Sequence, residues 1–387
     1  MKIKALKNVL FREFGFIFRS KDMLLICFIA PLVYGLMFSY LYINKRATNI
    51  NLGVVNQDGL SLSRKLIRNI NATAELKTTT HYNSFQEGLV DIFKNNVNGF
   101  YVIPSSFDKN IKKGRISPVL DVINSSNFFV ASNILKKFTV TAIDFSKQQF
   151  KKVLVDKRFP YKSTENIFSP IKINTVYLFN TQMNYSDFLL PCLLLVVLQQ
   201  IILVAVCTSM SLEKNNNNNK LYKISFGNFF IIFLGKAIPY TLIGSLINVL
   251  NVYIILPIDG IYALSILGLF VMSTVFIMAI VCFAILVSVF FKSPEVAMSV
   301  LMFYSLPTAL LSGFAWPHSA LPNYLKVISY IFPSTCSMNY IRMFILGDVK
   351  IEYAKGHIIA LIVFSFICFF ITYLIEIKTR KVFALRK

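Results

Sequence analysis

Along its length the chain alternates between long unbroken apolar runs and one extended mixed stretch, and the spacing of the apolar positions says what each becomes. Crossing the hydrocarbon core of a bilayer takes about 20 predominantly apolar residues. Six runs reach that length: Met23 to Ile43, Asp187 to Met210, Ala237 to Leu256, Tyr262 to Phe291, Val296 to Gly313 and Ile358 to Ile377. The fourth is long and must tilt or extend beyond the membrane. Lys and Arg precede the first run, as in a secretory signal. It is nevertheless longer than a signal core, no small-x-small cleavage site follows, and Tyr40 and Tyr42 suit an interfacial anchor, so it reads as a retained helix.

The mixed stretch, residues 44–186, lies between the first two spans. Asn51 to Val55 predicts a strand ending in the turn Asn56-Gln57-Asp58-Gly59, and Leu60 to Ile70 a helix with Ser61 or Ser63 near its N-cap. Gly99 to Ile103 and Val119 to Ile123 read as further strands, and Ser126 to Val155 has helical spacing. Such a stretch is large enough for its own core. At the N-terminus Lys4, Asn8, Arg12 and Arg19 face one way and Ile3, Leu6, Leu10, Phe14 and Ile17 the other, the pattern of a basic amphipathic helix on a membrane surface. The expected fold is an α-helical membrane protein with six transmembrane helices and an α/β extracytoplasmic domain inserted between helices 1 and 2. Its parts are a cytoplasmic amphipathic helix (1–21), the first span (22–43), the α/β domain (44–186), spans two to six (187–377) and a cytoplasmic tail (378–387).

Composition agrees with the bilayer as solvent: 55% of residues are apolar and 15% charged, where soluble domains carry about 25% charged residues. Mean hydropathy is +0.60. The net charge of +22 does not mark a nucleic-acid site, because the basic residues flank the spans and scatter over the polar stretch instead of forming one stripe. Cys27, Cys192, Cys207, Cys282 and Cys368 lie in apolar runs, Cys336 stands alone, and no CxxC or Cys/His spacing occurs, so neither a disulfide framework nor a zinc site is expected.

Charge also sets orientation. Lys2, Lys4, Lys7, Arg12, Arg19 and Lys21 precede the first span, and Lys378, Arg380, Lys381, Arg386 and Lys387 follow the last, which puts both termini in the cytoplasm. Glu213 to Phe226 and Lys292 to Glu295 are then cytoplasmic loops, and residues 44–186 lie outside.

Candidate chemistry is sparse. The Gly235-Lys236 pair is followed by Ala and lacks the spaced glycine of a phosphate-binding loop. No H-E-x-x-H or G-x-S-x-G occurs, and His81, His318 and His357 are far apart in sequence, so no catalytic, cofactor or metal residues are expected. Ionisable residues are nearly absent from the spans, which argues against proton-coupled transport; Lys236 reads as sitting at a span's inner end and snorkelling to the headgroups. Gln199, Gln200, Thr208, Ser209, Asn248 and Asn251 either line a substrate path or hydrogen-bond helix to helix. The loop 211–228 is polar, with Glu213 and Lys214, five consecutive asparagines, then Lys220 and Leu221. In 314–347, helix breakers mix with apolar residues. Gly313, Phe314, Trp316, Pro317, Pro322, Pro333 and Arg342 there read as an outer re-entrant hairpin, since broken helices at membrane depth need shelter for their backbone.

These residues resemble a family, the ABC-2 type permeases with a large extracytoplasmic loop between the first and second spans, as in bacterial multidrug efflux systems. The likeness covers nearly the whole chain. It rests on Arg19, Asp22 and Pro31; on Val54 to Asp58 with Ser63-Arg64; on Val102-Ile103-Pro104, Phe107 and Gly114; and on Asp121 to Asn127. Later marks are Phe179-Asn180, Gly235-Lys236, Pro239-Tyr240, Ser312 to Pro317, Leu321-Pro322, Pro333, Arg342 and Gly347. The chain departs from the family after Glu213-Lys214, where the asparagine run replaces the usual start of a short coupling helix.

The resemblance implies a permease subunit that works with cytoplasmic ABC ATPases, which would hold ATP and Mg, and with a second copy of itself or a related permease. Glu213, Lys214, Lys220 and Leu221 would then contact the ATPase, a periplasmic adaptor is a further expected partner alongside membrane lipids, and the cargo would be drug-like or lipid-like. The location implied is the bacterial inner membrane. A membrane-anchored receptor or envelope interaction protein without transport is the competing class.

Overall fold

The computed structural model describes residues 2–42, 48–156, 179–180, 184–215, 224–225, 227–291, 293–313, 316 and 318–384. The chain divides into two compact units, one made of Met1–Lys45 with Tyr177–Lys387, the other of Arg46–Val176. The first opens with helix α1 (Lys2–Arg19) and helix α2 (Lys21–Tyr42). Ser20 separates them in extended backbone, its hydroxyl accepting from the Met23 N–H, so a single residue divides α1 from the first long apolar helix.

The second unit follows in sequence as β1 (Ile50–Asn56), α3 (Ser61–Asn71), β2 (Leu76–Tyr82), α4 (Phe85–Phe93), β3 (Gly99–Ile103), α5 (Phe107–Lys112), β4 (Leu120–Ile123) and α6 (Phe128–Asp156). The sheet runs β2-β1-β3-β4, with β1 parallel to both neighbours and β4 antiparallel to β3. Its central strand is apolar on both faces, as a parallel strand covered twice must be. Ile50, Leu52 and Val54 pack with Leu66 and Ile70 of α3 and with Ile134, Phe138 and Phe145 of α6; Val55 joins Tyr82, Ile92 and Phe100 on the other face. The start of α3 differs from the sequence expectation. Leu60 is the N-cap and no cap comes from Ser61 or Ser63. Instead Asp108, at the start of α5, accepts from the Leu62 N–H at 3.4 Å and the Ser61 hydroxyl at 3.2 Å. A carboxylate 46 residues away in sequence does the work of a local cap.

The first unit resumes with α7 (Tyr185–Asn215), α8 (Phe229–Ile258), α9 (Ile266–Ser288), α10 (Pro294–Leu311), α11 (Asn323–Ser329), α12 (Pro333–Leu346) and α13 (Lys355–Ala384). Among the described residues six helices are long and apolar enough to cross a membrane: α2, α7, α8, α9, α10 and Ile351–Lys378. Among them α7 and α9 are the most enclosed, with 67% and 56% of their apolar windows buried, against 17% for α10 and 22% for α2. A helix apolar all round belongs at the centre of such a bundle. The third span begins at Phe229, eight residues before the Ala237 that its hydropathy suggests, because Phe229 to Leu234 is itself apolar and Asn228 caps the helix by accepting from the Phe230 N–H. Those extra residues, about two turns, place Lys236 inside the helix.

Candidate functional site

Helix α1 buries Ala5, Val9, Glu13 and Ile17, one stripe at four-residue spacing. Three are apolar and the fourth is a carboxylate 1% exposed. The contact is close because α8 carries Gly235 opposite Val9; a Cβ there would lie 2.3 Å from the valine Cγ1. One residue further along α8, Lys236 is also 1% exposed and points its ammonium at Glu13, 3.0 Å from each carboxylate oxygen. The snorkelling lysine expected from hydropathy is therefore a buried ion-pair lysine, because its helix continues past it and its partner comes from outside the span.

Two further helical residues complete the carboxylate's shell. The Ser209 hydroxyl of α7 donates to Glu13 Oε1 at 2.5 Å and accepts from Lys236 Nζ at 2.7 Å, and the Tyr240 hydroxyl donates to the same Oε1 at 2.9 Å. The network then continues to the last turn of α7. Lys236 Nζ lies 2.9 Å from Glu213 Oε2, and Arg12 Nη2 lies 3.0 Å from Glu213 Oε1. Two acids and two bases sum to zero, which is the condition under which buried charge is tolerated. Burial alone would raise the Glu13 carboxyl, but the Lys236 ammonium and the hydrogen bonds from Ser209, Lys236 and Tyr240 outweigh it and hold the group below its ordinary range. Three helices, α1, α7 and α8, are thereby fixed to one another where the polar loop leaves α7.

Of the coupling residues read from sequence, Glu213 lies in this network and Lys214 in the last turn of α7. Lys220 and Leu221 fall outside the described residues, as do Phe314 and Pro317. In the hairpin segment Gly313 adopts φ 84°, a backbone open to glycine, just after α10 ends. Trp316 is exposed, Pro322 caps α11 and Pro333 begins α12. Arg342 donates to Asn339 Oδ1 at 2.9 Å and stacks over the Phe188 ring at 4.4 Å, which ties α12 to the start of α7.

Of the six polar residues read as path or helix-to-helix groups, Ser209 belongs to the ion cluster and the other five are dispersed. Gln200 donates to the Leu301 carbonyl of α10 at 2.9 Å, a helix-to-helix bond. Gln199 and Thr208 are buried on α7, where Gln199 Oε1 and Thr208 Oγ1 have no hydrogen-bond partner among the described residues. Asn248 and Asn251 are buried on α8, and Asn251 opens a π-helical turn against Gly35 of α2. Among the described residues no hydrogen bond joins any of the five to another.

Sequence reasoning passed over Glu13 and the burial of Lys236, although a signal was present. Glu13 is the sole acid before Asp22, and Lys236 the sole charge between Phe229 and Ile258. A lone charge in an apolar helix calls for a named partner.

Six apolar helices among the described residues, three of them with 22% or less of their apolar windows buried, together with a buried neutral ion cluster, define a multi-pass membrane-embedded protein. The profile of the ABC-2 family transporter proteins matches residues 21–374, and the chain belongs to that family. It is similar to the probable multidrug ABC transporter permease YbhS of Escherichia coli (strain K12), 20% identical over 346 residues that cover 87% of each chain. It is also similar to ABC transporter G family member 20 of Dictyostelium discoideum, 24% identical over 384 residues, 93% of this chain and 48% of the relative. The chain is thus a membrane transport permease and not an enzyme, ATP hydrolysis lying on separate subunits. Membership implies partnership with an ABC ATPase and dimerisation.

Proposed function

We propose that this permease exports an amphipathic or hydrophobic, drug-like or lipid-like molecule across a bacterial inner membrane, and that its ATPase works it through the start of the 211–228 loop. In this reading both termini are cytoplasmic, the α/β unit is extracytoplasmic and meets a periplasmic adaptor, and the partner ATPase holds the nucleotide and magnesium. The permease pairs with a second copy or a relative. Gln199, Gln200, Thr208, Asn248 and Asn251 are the candidates for the path, and the segment from Gly313 to Arg342 shelters its outer end. The multidrug permease named among the relatives supports the cargo class.

The observation that carries the coupling assignment is the ion network at the base of α7. A push on a solvated loop is dissipated unless the loop is anchored. Glu213 is anchored twice, to Arg12 of α1 and to Lys236 of α8, so force applied there reaches three helices together. Coupling requires that the ATPase-driven states hold cargo differently, and a rigid three-helix base lets one contact bias the whole bundle.

The test is reconstitution of tagged chain with its co-purifying ATPase in lipid. Replacing Glu213 and Lys214 by Ala is expected to lower permease-stimulated ATP hydrolysis and cargo movement while insertion and yield stay normal. Normal coupled activity in that variant overturns the coupling assignment, and a chain that purifies with no ATPase overturns the exporter reading.

A further inference from the structure

The α/β unit contains a cavity of about 330 Å³ between α3, α5, α6 and the segment that follows α5. This is within the range of small-molecule sites, about 300–1,000 Å³. Four phenylalanines supply its walls, Phe107 from α5 and Phe138, Phe145 and Phe150 from α6, with Phe107 and Phe145 stacked at 6.2 Å. An apolar lining of this kind takes an apolar body.

The polar side chains on the cavity are Arg115, Ser117 and Ser146. Arg115 lines it and is exposed, so its head can stand at the mouth while its stem lies along the wall. Its backbone is fixed, the N–H donating to the Asn110 carbonyl at 2.8 Å, and among the described residues its guanidinium has no ion-pair partner. Two residues on, Ser117 also lines the cavity, and its hydroxyl oxygen is buried with no hydrogen-bond partner. A buried hydroxyl without a partner is costly and rare. No carboxylate lines the cavity. A free cation, an unsatisfied hydroxyl and an aromatic chamber together fit one chemistry, an acidic headgroup on a short apolar body.

We propose that this cavity binds a small single-chain anionic amphiphile, its headgroup held by Arg115 and Ser117 and its body among the four phenylalanines. At roughly 30 Å³ per heavy atom, the share of a water-sized group, the volume admits about eleven such atoms, so the chain of a ten-carbon carboxylate fills it with the headgroup at the mouth, while a two-chain phospholipid is excluded. The proposal does not depend on the direction of transport or on the ATPase, because the site lies within one unit and binds without hydrolysis.

The test uses the full chain in nanodiscs of zwitterionic lipid, without ATPase, and measures radiolabelled decanoate displaced by excess unlabelled decanoate. Wild type is expected to bind saturably. Ala142→Phe, which fills the cavity wall, should abolish that binding. Arg115→Gln, at the exposed mouth, should weaken decanoate by roughly fivefold, as loss of a partly solvated ion pair does. Decanol, which carries no charge for Arg115 to hold, should compete equally well in wild type and in Arg115→Gln. Three results overturn the proposal: no displaceable binding in wild type, equal binding in wild type and Ala142→Phe, or equal decanoate affinity in wild type and Arg115→Gln. Should Ala142→Phe fail to fold, the Arg115→Gln comparison decides alone.

Discussion

Within the Glu13 and Lys236 pair each charge depends on the other. Without Lys236, Glu13 would be a carboxylate buried at 1% exposure with no cation against it, and without Glu13, Lys236 would keep only Glu213, which Arg12 already shares. Removing one partner of such a pair costs about 3–5 kcal/mol. Glu13→Gln and Lys236→Met are therefore each expected to lower the thermal unfolding temperature of the purified chain in lipid, and the double change to lower it by much less than the two together. Additive losses would show that the two side chains act separately. The pair also carries a pH signature. A carboxyl held below its ordinary 4.5 stabilises the fold above that value and loses the contribution as pH falls through the folded-state value. Wild type should therefore lose unfolding temperature on acidification below about 4.5 more steeply than Glu13→Gln. Scanning for about 20 apolar residues trims a span at its first charge, which is why Lys236 reads as an end residue. Its true position depends on a partner 223 residues away, outside any sequence window.

At the scale of elements, the joint between α1 and α8 is a close contact that one glycine permits. Gly235→Ala puts a methyl 2.3 Å from Val9 Cγ1 and 3.0 Å from its Cβ, so it should destabilise the chain by about 1–3 kcal/mol, the ordinary cost of overpacking. Adding Val9→Ala removes the nearer atom and should recover part of the loss in the same unfolding assay; no recovery would place the strain elsewhere. Elements whose apolar pattern is local were legible in advance: the six spans, β1, β3 and the long α6 all lie where the pattern puts them, the start of the third span being displaced most, from Ala237 to Phe229. Strand β2 was not, because Leu-Lys-Thr-Thr-Thr-His-Tyr alternates weakly and buries only its ends, as an edge strand does. The cap of α3 was illegible for a different reason, since Asp108 reaches it only once the unit has folded.

For the whole molecule, the proposed topology of six spans has both termini on one side of the membrane and the unit between the first two spans on the other, which labelling can test. All six native cysteines are buried and should give little background. A membrane-impermeant maleimide added to intact bacterial spheroplasts is expected to label Lys77→Cys, on exposed β2, and to label Lys2→Cys only after permeabilisation. The reverse pattern would invert the proposed orientation. The cluster around Lys236 has a consequence for biogenesis as well. A ribosome delivers Glu13 long before Lys236, so the newborn N-terminal helix carries an unmatched anion until the third span arrives. Its docking is therefore a late event that reports completion of three helices at once, and a nascent chain stalled before α8 is left with its first helix undocked, open to the proteases that clear unfinished membrane proteins.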